Sequence, residues 1–145
     1  MSSILVDNLT GKTTAGNVTV TSEGGAATMH MQQGLCKAWV RYDATNTDSI
    51  NDSLNISSVR DGSGAGKQGI TLSSAMNNTN WSVQCTGTGA GTSGGTITLD
   101  SSGWQGSGTS PYRTTTQANM RGIDAATAAL VDHDDCNVAC FGDLA

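Results

Sequence analysis

An all-β chain, an antiparallel β-sandwich-like module with an extended amino-terminal arm and one short helix, is the fold class this sequence predicts. Three observations predict it. Gly, Ser, Thr and Asn supply 65 of the 145 residues, while there is one Glu and one Pro. Ser, Thr and Asn compete for local backbone hydrogen bonds and weaken helices, Thr suits a pleated surface, and Gly supplies the positive φ of tight turns. The apolar residues also recur with period two in short runs, and no long helix-forming run interrupts them.

The elements follow in chain order. Ile4 to Leu9 and Asn17 to Thr21 read as short strands joined through Gly11 and Gly16, and Glu23-Gly24-Gly25 ends the unit. Ala26 to Gly34 has little β-branching and predicts one or two helical turns stopped at Gly34. Leu35 to Tyr42 alternates: Cys36, Ala38, Val40 and Tyr42 form an apolar inward face, and Leu35, Lys37, Trp39 and Arg41 form the other. Ser53 to Val59 predicts a second strand. Asp61 to Gly66 is a turn, from which Lys67 to Leu72 returns as the second arm of a hairpin. Met76 to Asn80 is a polar connection, and Trp81 to Gly87 places Trp81, Val83 and Cys85 on one face. Eight glycines between Thr86 and Gly108 predict a long hairpin or exposed loop around a strand at Thr96 to Leu99, with Trp104 near its tip. Tyr112 to Arg121 is extended, Asp124 caps a short helical turn running to Leu130, and Cys136 to Phe141 is a final strand with Cys136, Val138 and Cys140 inward. Residues 1–31 thus form a docking and oligomerisation arm, with Ile4, Val6, Leu9, Val18, Val20, Met29 and Met31 as its contact residues, and residues 32–145 form the sandwich-like domain.

Hydrophobic residues make up 36% of the chain, against about 45–50% for ordinary domains when Gly is included. A lone subunit has a thin interior and gains by burying surface against copies of itself, so a homo-oligomer is expected. The net charge of −5 with scattered basic residues argues against a nucleic-acid partner. No apolar run reaches the length of a spanning helix, so no membrane insertion is expected, and Met1 to Val6 lacks the pattern of an export signal. The chain is expected to stay in the cytosol unless an assembly carries it out.

Chemistry-bearing motifs are sparse. Gly62 to Lys67 resembles a phosphate loop only loosely, because its spacing is short, Gln68 replaces the Ser or Thr that would meet magnesium, and a strand follows; it reads as a hairpin turn. Asp132-His133-Asp134-Asp135-Cys136 carries metal-ligating groups, but consecutive side chains diverge, so a solvated acidic turn is expected. Cys36, Cys85, Cys136 and Cys140 lack paired spacing and read as small buried thiols. With His30 and His133 the only imidazoles and no nucleophile elbow, neither a catalytic residue nor a cofactor is expected. Exposed aromatics on polar loops suit sugar faces. Trp81, Trp104 and Tyr112 are the candidates, with Trp104, among Gly103, Gln105 and Gly106, and Tyr112 favoured as receptor contacts, whereas for Trp81 and Trp39 a core or interface role is at least as strong a reading.

The run Gln32 to Val40, the stretch Asp52 to Gly62, the segment Ala75 to Trp81 and the ending Phe141-Gly142-Asp143-Leu144-Ala145 resemble, in that order, a family of tail-fibre and virion structural proteins of marine bacteriophages. The resemblance implies a short trimeric tail fibre or fibre-like module that contributes to host attachment, assembled in the host cytoplasm and carried on the virion. Its partners would be copies of itself, other tail or capsid proteins, and a host surface glycan. A capsid decoration or tail adaptor is the structural alternative, and a glycan-degrading tail enzyme the catalytic one. Cys36, where the family more often has a small residue such as alanine, and Asp48 to Asn51 depart from its pattern.

Overall fold

The computed structural model describes residues 6–10, 12, 18–22, 24–25, 27–46, 49–88, 95–100 and 112–145. The chain divides into two compact units, Met1–Leu35 and Cys36–Ala145.

In the first unit, β1 (Thr19–Thr21) and β2 (Thr28–His30) pair antiparallel, with Val20 opposite Met29. A single helical turn, α1 (Met31–Gly34), follows β2, and Met31 N donates to Val18 O at 2.7 Å. The helix predicted from Ala26 is thus confined to its last turn, because β1 offers the backbone of Thr28 to His30 a ladder partner. Val6 to Thr10 carries no strand, contrary to expectation: among the described residues no neighbouring segment pairs with it. Ile4 lies outside the described residues.

The described residues of the second unit are all-β. One sheet has the order β4 (Ser49–Leu54), β3 (Ala38–Asp43), β10 (Asp135–Phe141), β7 (Ser82–Thr88). The other has the order β5 (Ile56–Asp61), β6 (Lys67–Leu72), β9 (Gln117–Asp124), β8 (Gly95–Leu99). Every pairing within them is antiparallel. The sheets pack face to face. Ala38, Val40 and Tyr42 of β3, Cys136, Val138 and Cys140 of β10, and Val83 and Cys85 of β7 meet Val59, Ile70, Leu72, Ala118, Met120 and Ile97 from the opposite sheet. The alternation is borne out over Ala38 to Tyr42 and Cys136 to Phe141, since a sheet with one face on the core must alternate, while Cys36, ahead of the strand, is only half-buried. Lys37, expected outside, is buried; it precedes β3, and its carbonyl accepts from Asn55 Nδ2 at 3.2 Å.

The predicted strand Ser53 to Val59 is two strands in two sheets. Asn55 stands between them at φ 56, a left-handed conformation that Asn tolerates better than most residues. Its amide secures the corner: Oδ1 accepts from Ser74 N at 2.7 Å and Nδ2 donates to Ser74 O at 3.3 Å. Asp124 caps a turn as predicted, its carboxylate accepting from Ala126 N, Thr127 N and Thr127 Oγ1 at 2.8–2.9 Å. No helix follows, because Ala128 adopts φ 56 and Asp124 N bonds Ala129 O, which turns the chain back. Those bonds to Thr127 hold the Asp124 carboxyl below its usual range.

Candidate functional site

Tyr112, a predicted receptor contact, precedes β9 and is 43% exposed. Its ring does not stand free on a loop. The Arg113 guanidinium lies 5.0 Å from its centroid and 5.9 Å from that of Trp81, while Arg113 Nη1 donates to Trp81 O. Trp81 is 2% exposed and donates Nε1–H to Thr114 O at 2.9 Å, which makes it a core residue and decides against the sugar contact it also offered. Trp104 lies outside the described residues. In the first unit Val6, Leu9, Val20 and Met29 are exposed and Val18 and Met31 are partly covered. The Val20 and Met29 pair is 43% and 53% exposed, an apolar couple on a hairpin of only three-residue strands.

A shallow depression of about 290 Å³ lies on the outer face of the β4-β3-β10-β7 sheet. Its lining is Trp39, Val40, Gln84, Thr86, Asn137, Val138 and Ala139. Register explains it. Trp39, Ala139 and Gln84 stand side by side across β3, β10 and β7, and Arg41, Asn137 and Thr86 form the next row. Ala139 leaves the middle of the first row low. Trp39 is 36% exposed, with Leu54 directly opposite it on β4. Arg41 Nε bonds Asp135 Oδ1 at 2.9 Å, which raises the guanidinium pKa and lowers that of the carboxyl. Tyr112 contributes nothing to this lining. The alternation alone puts Trp39 on an outward face among charges, where it reads as a core or interface residue. What alternation lacks is the register that puts a small residue beside the indole.

The outer face of the second sheet is occupied differently. Arg60 reaches across Gly69 and donates to Asn119 Oδ1 at 2.9 Å, its guanidinium pKa lowered by burial. Arg121 Nη2 pairs with the buried Asp100.

The acidic run Asp132 to Asp135 departs from the solvated turn expected of it. His133 is completely buried, against Gly87, Gly95 and Gly122 of three strands, and its two ring nitrogens have no hydrogen-bond partner among the described residues. Its carbonyl accepts from Ala44 N at 2.9 Å, and Asp132 Oδ1 accepts from Gly66 N at 2.6 Å. These backbone bonds draw the segment inward despite its charges. Only Asp134 keeps the exposed position. Among the described residues no three His, Cys, Asp or Glu side chains are disposed to hold a metal.

The four cysteines are free thiols. Cys136 Sγ lies 3.7 Å from Gln68 Oε1, which also accepts from Tyr42 Oη at 2.7 Å. Burial pushes the Cys85, Cys136 and Cys140 thiols up to about 12 and raises Tyr42 further. Thiols held neutral in this way are poor nucleophiles, so their chemistry here is packing. Comparison with protein-family models, with curated proteins and with solved structures gives no match.

Proposed function

We propose that this chain is a structural module of a bacteriophage particle, a short trimeric tail fibre or fibre-like module that contributes to host attachment. The observation that carries the reading is the first unit's distribution of apolar residues. Val6, Leu9, Val20 and Met29 all lie on its surface. A unit this small that leaves such side chains in water is completed by a partner, and copies of the chain or a neighbouring virion protein supply one. The sandwich then has the role of display. Repetition in a trimer multiplies weak contacts through effective concentration, so a shallow surface suffices for adhesion.

An electron-microscopy map of the particle, with the chain placed in it, tests position and symmetry together. Three copies at the tail support the fibre. Placement on the shell or in a tail ring assigns the decoration or adaptor role, and disappearance of host polysaccharide on incubation with the purified chain assigns a glycan-degrading enzyme. The purified chain is expected to sediment as a trimer. The double substitution Val20→Thr and Met29→Thr is expected to shift it toward monomer with unchanged far-ultraviolet circular dichroism, whereas a trimer indifferent to both changes removes the arm from the interface.

A further inference from the structure

The outer face of the β4-β3-β10-β7 sheet has the features of a sugar site. Neighbouring strands lie about 4.8 Å apart, so Trp39 and Gln84 stand roughly 10 Å from each other across β10, with the methyl of Ala139 between them. That is a slot about as wide as one sugar ring, walled on one side by an indole and on the other by a carboxamide. Asn137 and Thr86 continue the polar wall in the next row. No residue lining the depression is charged. The adjacent Arg41 is engaged by Asp135 at 2.9 Å, and the chain's net charge of −5 repels anionic polymers. We propose that this face binds a neutral pyranose glycan, with Trp39 stacked on the C–H face of a ring and Gln84, Asn137 and Thr86 exchanging hydrogen bonds with its hydroxyls. Aromatic side chains suit such duty, being apolar in body and rigid, and amide side chains both donate and accept. The site rests on the attachment reading for its biological purpose, and the experiment keeps the two apart.

The test is a titration of the full ¹⁵N-labelled chain, its tryptophan indole resonances assigned by single Phe substitutions, with β-linked hexasaccharides of glucose, galactose and N-acetylglucosamine. The Trp39 indole resonance is expected to move with at least one of them while that of Trp81 stays in place. Trp39→Ala weakens binding by about tenfold or more. So does Ala139→Leu, which fills the slot but keeps the tryptophan, with the dispersion of the spectrum preserved. No movement with any of the three sugars, binding that survives both substitutions, or broadening of the Trp39 resonance with protein concentration alone overturns the proposal. The last result assigns the face to a second copy of the chain. Sugar binding by a chain that is missing from the particle leaves this site standing and removes the virion reading; a chain mapped to the particle but blind to all three sugars does the reverse.

Discussion

A single imidazole sets the tolerance of one end of the sandwich. His133 fits only because Gly87, Gly95 and Gly122 present no side chain to it: a Cβ on Gly95 would lie 1.9 Å from the ring's Cε1, and one on Gly122 would lie 2.3 Å from Val131 O. Gly95→Ala and Gly122→Ala are therefore expected to lower the urea midpoint by the equivalent of about 1–3 kcal/mol or more. Gly24→Ala, at a position with nothing within 4 Å and no positive φ, is expected to leave it unchanged. Equal midpoints in all three variants would show that the slot gives way freely. The acidic neighbours of His133 concealed it from sequence reading. Charge pattern suggests solvent, whereas here the carbonyl of His133 and the carboxylate of Asp132 are bound by backbone N–H groups of other elements.

Between elements, the controlling feature is the corner at Asn55, where the chain leaves β4 and enters the other sheet as β5. Three hydrogen bonds from its amide and a left-handed backbone meet in one residue. Asn55→Ala loses both and is expected to cost roughly 1–3 kcal/mol. Asn55→Gly loses only the side-chain bonds and should fall between Ala and the native chain, because Gly adopts positive φ freely. Thermal unfolding of the pair checks the order, and an Ala variant more stable than the Gly variant would refute the backbone part. The strands β3 and β10 were legible because each buries one face and alternates strictly. The strand β4 was not: it is an edge strand with Asn51 and Asp52 exposed, and its residues carry little apolar signal. The division of Ser53 to Val59 between two sheets was hidden as well, since alternation continues in the sequence straight through Asn55. The Trp39 face was half legible. Its outward direction follows from the alternation, but its neighbours Ala139 and Gln84 come from strands far along the chain, and one sequence does not reveal which strands adjoin.

For the molecule as a whole, the core holds three thiols and one phenol whose protons burial makes harder to lose, and this sets its response to alkali. A thiol whose proton is held more tightly in the folded chain stabilises the fold below the unfolded pKa of about 8.5, and that contribution is lost as pH rises toward the folded value. Cys85, Cys136 and Cys140, all pushed up to about 12 by burial, act in this sense, and the raised Tyr42 adds to them at higher pH. The unfolding free energy from urea titrations is expected to fall steadily above about pH 8.5, by about 1.4 kcal/mol per pH unit for each thiol that ionises only on unfolding. Replacing Cys136 and Cys140 with Ala should lower stability at neutral pH and make the alkaline decline shallower, with Cys85 and Tyr42 keeping the remainder. An unchanged slope would place its origin elsewhere. The order of strands in the first sheet bears on how the protein is made. The last strand, β10, sits between β3 and β7, both of which leave the ribosome before it. Until Phe141 has been translated, those two earlier strands lack their shared neighbour and keep apolar faces unmatched. Folding of this sheet is therefore expected to wait until β10 has emerged and to be slow, on the order of milliseconds to seconds, with a nascent chain halted before Asp135 prone to aggregate rather than to form half a sandwich.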